Sequence, residues 1–284
     1  MRTVRTLAPL RELVAQSRMA ARPIALVPTM GALHEGHLSL VRLAKREGGL
    51  TVVSIFVNPL QFAPGEDLAR YPRREEDDAR LLEREGADVV YLPDPAAFYP
   101  PDFSTTVEVS SVSEGGEGAC RPGHFRGVAT VVAKLFLRVL PDVAVFGRKD
   151  LQQVAVIRRM IRDLDLPVRL VIGETVRAAD GLAMSSRNAY LSADERLRAA
   201  DLSRTLFAAR GRAAAGATDP RQIEEDARKQ LEASGLRVEY VETVHAETMR
   251  TADKVIPGVA LAAAVRLGKT RLIDNVFLID PVRA

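Results

Sequence analysis

The sequence predicts an α/β protein: a Rossmann-like doubly wound parallel sheet followed by a smaller C-terminal α+β domain. Three observations predict it. Short β-branched, apolar runs alternate with helical-period segments through the first 175 or so residues. After "MSSRNAYLS" the pattern turns into a long Ala/Arg/Glu-rich helical stretch. Three strand-like runs separated by turn residues then follow it. The expected boundary lies near residue 180, giving one domain over 1–179 and a second over 180–284.

In order along the chain, "IALV" at 24–27 is a buried-strand run that Pro28 is expected to stop. "LTVVSIFV" at 50–57, "DVVYL" at 88–92, "DVAVF" at 142–146 and "VRLVIG" at 168–173 have the same composition. Near-continuous Val, Ile and Leu are what a strand covered by helices on both faces requires. Helices are expected to begin near His37, Arg74, Arg126 and Asp150; the third, "RGVATVVAKLFLRVL", is apolar enough to be largely buried. A helical stretch from Ser192 to about Ser234 breaks at "AGATDP". "LRVEYVETV", "GVALAAAVRL" and "TRLIDNVFL" supply the last strands.

Composition narrows the function classes. Of 284 residues 47% are hydrophobic and 27% charged, so the chain has the makings of a packed core. Forty Lys and Arg against 37 Asp and Glu leave +3, a balance that gives little support to nucleic-acid binding. One cysteine, Cys120, excludes an intramolecular disulfide and suits a reducing compartment, so the expected location is the cytoplasm, with no export or membrane-spanning segment.

Four clusters carry chemistry. "PTMGALHEGH" at 28–37 follows the first strand; Gly31 and Gly36 permit close backbone approach, and a helix start near His37 offers N–H groups to phosphate. His34 and His37 there suit hydrogen bonding to phosphate oxygens. Two histidines without H-E-x-x-H spacing are a poor zinc site. "FVNPLQF" at 56–62 sets the amides of Asn58 and Gln61 after another strand. "VFGRKDLQQ" at 145–153 brings Gly147, the cation Lys149, Asp150 as a helix cap and Gln153. "DGLAMSSRN" at 180–188 joins two hydroxyls to Arg187. Alone, the second and third read as ordinary turns and the fourth as a helix N-cap with a surface arginine; four phosphate-compatible clusters at successive junctions make coincidence a poor explanation. "RREEDDAR" at 73–80 reads as an exposed helix start whose Asp77 and Asp78 are within reach of a metal.

In this order the clusters, with "RPGHFRGVATVVAKLF" and "KDLQQ", closely resemble the pantothenate synthetase (pantoate–β-alanine ligase) family of the H-x-G-H nucleotidyltransferases. The resemblance spans essentially the whole chain, with His34-Glu35-Gly36-His37 as the signature. It implies an ATP-dependent condensation of pantoate with β-alanine through pantoyl adenylate, releasing AMP and pyrophosphate. It implies that Met30, Gly31, Ala32, Leu33, His34, Glu35, Gly36 and His37 hold ATP, joined by Gly147, Arg148, Lys149, Asp150, Val176, Met184, Ser185, Ser186 and Arg187. His34, His37, Lys149 and Arg187 are then the catalytic set, with His37 the proton-donor candidate; Gln61 and Gln153 hold pantoate, and Gln61 also meets β-alanine. Magnesium is expected with ATP, and a homodimer as the assembly. Arg148 departs from the acidic or amide residue the family often has there. A nucleotidyltransferase with a phosphorylated acceptor would need cations where Gln61 and Gln153 stand; a nucleotide-sensing binding protein would not need His34, His37, Lys149 and Arg187 together.

Overall fold

The computed structural model describes residues 1–282. Its elements run β1 (Arg2–Val4), α1 (Leu7–Met19), β2 (Ile24–Thr29), α2 (Glu35–Arg46), β3 (Leu50–Ile55), α3 (Glu75–Arg84), β4 (Val89–Tyr91), α4 (Pro95–Phe98), α5 (Gly116–Cys120) and α6 (His124–Val139). They continue with β5 (Val143–Gly147), α7 (Leu151–Asp163), β6 (Arg169–Gly173), α8 (Ala193–Ala214), α9 (Pro220–Ala233), β7 (Arg237–His245), β8 (Val259–Leu267) and β9 (Thr270–Phe277). One compact unit comprises 1–109, 121–148 and 156–174; the other comprises 110–120, 149–155 and the described chain from Thr175 onward.

The first unit holds a six-stranded sheet, ordered β1-β4-β3-β2-β5-β6, with every pair parallel. From β2 the chain winds outward through β3 to β4, then returns to β5 and winds the other way to β6. The reversal lies between β2 and β5, the position where open parallel sheets bind ligands at the carboxyl ends of their strands. One face is closed by α2 and α3, whose Leu40, Val41, Ala44 and Leu82 pack on Ala25, Val27, Val53, Val90 and Val145. Helix α6 is buried from Gly127 to Ala133 without interruption, as its composition predicts.

Pro28 does not stop β2. The strand runs on to Thr29, with Pro28 in register with Ser54 of β3. The reason is that β5 pairs only with Ala25 and Leu26, so beyond Leu26 that side of β2 has no ladder for a missing N–H to break.

In the second unit β7, β8 and β9 form an antiparallel sheet in sequence order. Leu202 and Leu206 of α8 and Ile223 and Leu231 of α9 cover one face, meeting Leu261, Ala263 and Val265. Leu151, Val244, Ala260, Ala262 and Phe277 cluster on the other. Burial on both faces explains why β8 reads as an unbroken small-residue run rather than an alternation. Among the described residues no helix is long and apolar enough to cross a membrane.

Candidate active site

The loop after β2 bends through two left-handed residues, Gly31 at φ 81° and Ala32 at φ 49°, before α2 begins. His34 caps that helix. Its Nδ1 accepts the N–H of Gly36 at 3.1 Å, and Nδ1 of His37 accepts the N–H of His34 at 3.4 Å, a reciprocal capping box. The rings lie 4.1 Å apart, centroid to centroid. A ring nitrogen that accepts an N–H carries no proton, so each neutral ring has its proton on Nε2. Both histidines therefore hold their backbone through Nδ1. Glu35 pairs with Arg42 of the same helix.

Asp78, 2% exposed, holds this loop from outside it. Its Oδ2 accepts the N–H of Ala32 at 2.8 Å and its Oδ1 that of Leu33 at 2.7 Å. A Cβ on Gly31 would stand 2.9 Å from Asp78 Oδ2, so only glycine fits there. Burial pushes the Asp78 carboxyl above its ordinary range despite the two N–H bonds. Of the two carboxylates expected within reach of a metal, Asp78 has both oxygens engaged by the backbone. Asp77 is exposed and pairs with Arg80.

The amides of "FVNPLQF" also divide. Gln61 closes the 3-10 turn Pro59–Gln61, its Nε2 3.0 Å from Met30 Sδ. Asn58, expected to face substrate, is 1% exposed and bonded wholly within the protein. Its Nδ2 donates to Gly127 O at 3.1 Å and Gln61 Oε1 at 3.0 Å; its Oδ1 accepts the Leu60 N–H and the Tyr99 hydroxyl. Since Gly127 O only accepts, the orientation of the Asn58 amide is settled, and with it that of Gln61: oxygen inward, NH₂ toward Met30. Gly127 lies mid-helix, where glycine costs about 1 kcal/mol relative to alanine. A Cβ there would collide with the carbonyl of Leu60, so the helix and the turn meet backbone to backbone.

At the end of β5, Gly147 pairs with Gly173, and Arg148 donates its N–H to Gly173 O at 2.8 Å while its guanidinium pairs with Glu174 at 2.7 Å. In the second unit, Lys149 Nζ lies 3.8 Å from Asp150 Oδ1, and Lys149 O accepts Asn275 Nδ2 at 2.9 Å. Asp150 precedes α7 and its carbonyl accepts the Val154 N–H. Of the two glutamines that follow, Gln152 is 5% exposed and bonds Val112 O, Gly115 O and the Glu117 N–H. Gln153 is only partly buried.

Val176 and Met184 close a small hairpin, Met184 donating to Val176 O at 2.9 Å. Arg177 anchors it, giving Asp274 two bonds at 2.6 and 3.0 Å and Ser203 one at 3.0 Å. Ser185 caps the 3-10 segment Ser186–Tyr190 by accepting the Arg187 N–H, so its hydroxyl is structural as well as adjacent to Ser186 and Arg187.

Sequence reasoning missed the positioning residues: Tyr99, Gly127, Gln152, Arg177 and the actual work of Asp78. Only Gly127 left a local signal, a glycine inside an otherwise apolar helical pattern.

A family model described as pantoate-beta-alanine ligase matches residues 2–277. The pantothenate synthetase of Anaeromyxobacter dehalogenans is 54% identical over 266 residues, 91% of this chain and 92% of its own. That of Rhizorhabdus wittichii is 50% identical over 275 residues, 97% of this chain and 98% of its own. The crystal structure of pantothenate synthetase from Thermus thermophilus superposes with a TM-score of 0.93 at 46% identity, covering 98% of this chain and 100% of that one. A pantoate-beta-alanine ligase from Francisella tularensis, complexed with beta-gamma ATP and beta-alanine, superposes at 0.81 with 29% identity, each chain 98% covered.

Proposed function

Because the chain belongs to the pantoate-beta-alanine ligase family, we propose that the loop from Met30 to His37 is where ATP is activated, in two steps that pass through pantoyl adenylate. The enzyme condenses pantoate with β-alanine using ATP. A carboxylate is a poor electrophile toward an amine, and transfer of AMP to it creates a leaving group. The pantoate carboxylate oxygen attacks the α-phosphorus and expels pyrophosphate; the β-alanine amine then attacks the acyl carbon, loses a proton and expels AMP. No enzyme nucleophile is required, only positioning and stabilisation of phosphate charge.

One observation carries this reading: the reciprocal cap of His34 and His37, which fixes both rings at the start of α2, the end of a helix that favours phosphate. His37 then acts as a preformed hydrogen-bond donor to the phosphate oxygens, more readily than as an acid, because protonating Nδ1 would break its bond to the His34 N–H. Met30 to His37, Gly147 to Asp150, Val176 and Met184 to Arg187 form the proposed ATP-binding set, Lys149 and Arg187 neutralising transferred charge. Gln61, with its NH₂ beside Met30, and Gln153 hold pantoate; Gln61 also meets β-alanine, and Asn58 serves by fixing Gln61. The beta-gamma ATP and beta-alanine complexed with the Francisella relative support that substrate pairing.

Magnesium would enter with the triphosphate. Among the described residues no group of three His, Cys, Asp or Glu forms a cation cage. The ion is proposed to be held mainly by phosphate oxygens and water, with Asp77 as the carboxylate within its reach. A cytoplasmic homodimer completes the proposal.

Exchange of labelled pyrophosphate into ATP with pantoate and magnesium, β-alanine omitted, tests the two-step order. Exchange is expected; exchange only after β-alanine is added would overturn it. His37→Ala should slow adenylate formation about 10²-fold with little loss of folding, the scale for removing one preorganised donor. His37→Gln, which keeps a donor, should recover part of the rate.

A further inference from the structure

We propose that Arg121, His124 and Glu66 are positioning residues that latch Gln61 in place for the acid substrate, an inference that rests on the reading of Gln61 above. All four lie in the first unit. They belong partly to "RPGHFRG", a motif for which the reaction as derived has no use.

The contacts interlock. Arg121 gives Glu66 two bonds, Nε to Oε1 and Nη2 to Oε2, both 2.7 Å, and from Nη2 a third to Gln61 O at 3.3 Å. His124 Nδ1 lies 2.9 Å from the same Gln61 carbonyl, and its Nε2 lies 3.1 Å from Arg121 Nη1. These partners dictate the tautomer. A carbonyl only accepts, so Nδ1 carries a proton; a guanidinium only donates, so Nε2 carries none. His124 is thus a neutral connector, the reverse tautomer of His34 and His37.

Two consequences follow for Gln61. Its carbonyl is gripped by two donors, one of them charged, which fixes the backbone at the end of the 3-10 turn. The same guanidinium holds Glu66, so the chain from Gln61 to Glu66 is closed into a loop at both ends. Burial opposes the Glu66 charge, but the bonds and charge of Arg121 outweigh it and hold Glu66 below the usual carboxylate range. From inside, Asn58 sets the rotation of the Gln61 amide; from outside, this latch sets where the amide stands. Side-chain amides select substrate only when both are fixed.

The test uses the full-length enzyme with His124→Ala, His124→Asn and Arg121→Lys. Wild-type turnover of ATP, pantoate and β-alanine to pantothenate checks the underlying reading first; without it that reading fails, whatever the variants do. In an active enzyme, His124→Ala and Arg121→Lys should raise KM for pantoate about tenfold, with KM for ATP changed less than about twofold. His124→Asn, which keeps an N–H for the Gln61 carbonyl, should recover most of that loss. Should the alanine variant not fold, Arg121→Lys and the asparagine variant carry the kinetic test. An unchanged KM for pantoate, or parallel rises for both substrates in a folded variant, would overturn the latch. So would a nitrogen NMR spectrum of wild-type enzyme showing the His124 proton on Nε2.

Discussion

In the first unit the loop after β2 is held by Asp78, which accepts the N–H groups of Ala32 and Leu33 directly. In the second, the hairpin from Val176 to Met184 is held by a side chain of its own, Arg177, whose guanidinium grips Asp274. Both anchors are buried carboxylates, each 2% exposed. The difference lies in what balances the charge. Asp274 has a guanidinium, a hydroxyl and the N–H of Asn275; Asp78 has only backbone dipoles as direct partners, and burial raises its pKa. A carboxylate bonded to backbone dictates φ and ψ at the residues it binds, which suits a loop that must bend through left-handed conformations. A carboxylate bonded to a side chain anchors a segment as a whole and leaves its internal shape to the hairpin's own hydrogen bonds. Damage to the first should therefore register as lost chemistry, and damage to the second as lost stability.

The largest expected effect is on the second. Asp274→Ala strands a guanidinium that is 16% exposed, and breaking such a buried pair costs about 3–5 kcal/mol. Urea unfolding measures it. Removing both partners, as in Asp274→Ala with Arg177→Met, should restore much of the stability; if the double variant is as weak as the single one, charge balance is not what holds the hairpin.

Next comes Asp78→Ala. Two donors lose their partner, at about 1–3 kcal/mol for each that stays buried, and the loop carrying His34 and His37 is released. Adenylation should fall about 10²-fold, the scale of an ångström-sized misplacement. Pyrophosphate exchange on a variant shown to be folded by its thermal transition measures it. Loss of exchange no greater than in Asp274→Ala would erase the distinction between the anchors.

The smallest effect is on acid stability. Glu239 is only partly buried; burial opposes its charge, but hydrogen bonds from Arg271 and Arg266 hold its pKa below the usual glutamate value. A depressed native pKa gives stability that is full above the unfolded-state value and disappears as pH falls through the native one. Wild-type melting temperature should decline through that window, and Glu239→Gln should flatten the decline slightly. An unaltered slope in the variant would remove Glu239 from the account.

The same physics decides what can be read from sequence. The runs at 24–27, 50–57 and 142–146 announce strands because a parallel strand buried on both faces must be apolar throughout. β1 stays hidden because it has three residues and buries only Val4. The sequence puts the start of α2 near His37, two residues late, because its cap is a histidine and not the usual Ser, Thr, Asp or Asn. Within the site, the histidines, glutamines, Lys149 and Arg187 are visible as residue types after strands. Their supports are not: Asp78 bonds N–H groups more than forty residues away, and a carboxylate satisfied by remote backbone looks, in "RREEDDAR", like any solvated acid. For the same reason Gln152 and Gln153 are indistinguishable until burial separates them.

The contact between Gly127 and Leu60 separates what can vary from what cannot. It is made by a helix Cα and a carbonyl oxygen, so no side chain takes part on either side. Leu60 itself is 40% exposed and its side chain lies outside that contact. A change of side chain at residue 60 therefore leaves the contact intact, while any Cβ at residue 127 would push α6 away from the turn that carries Gln61.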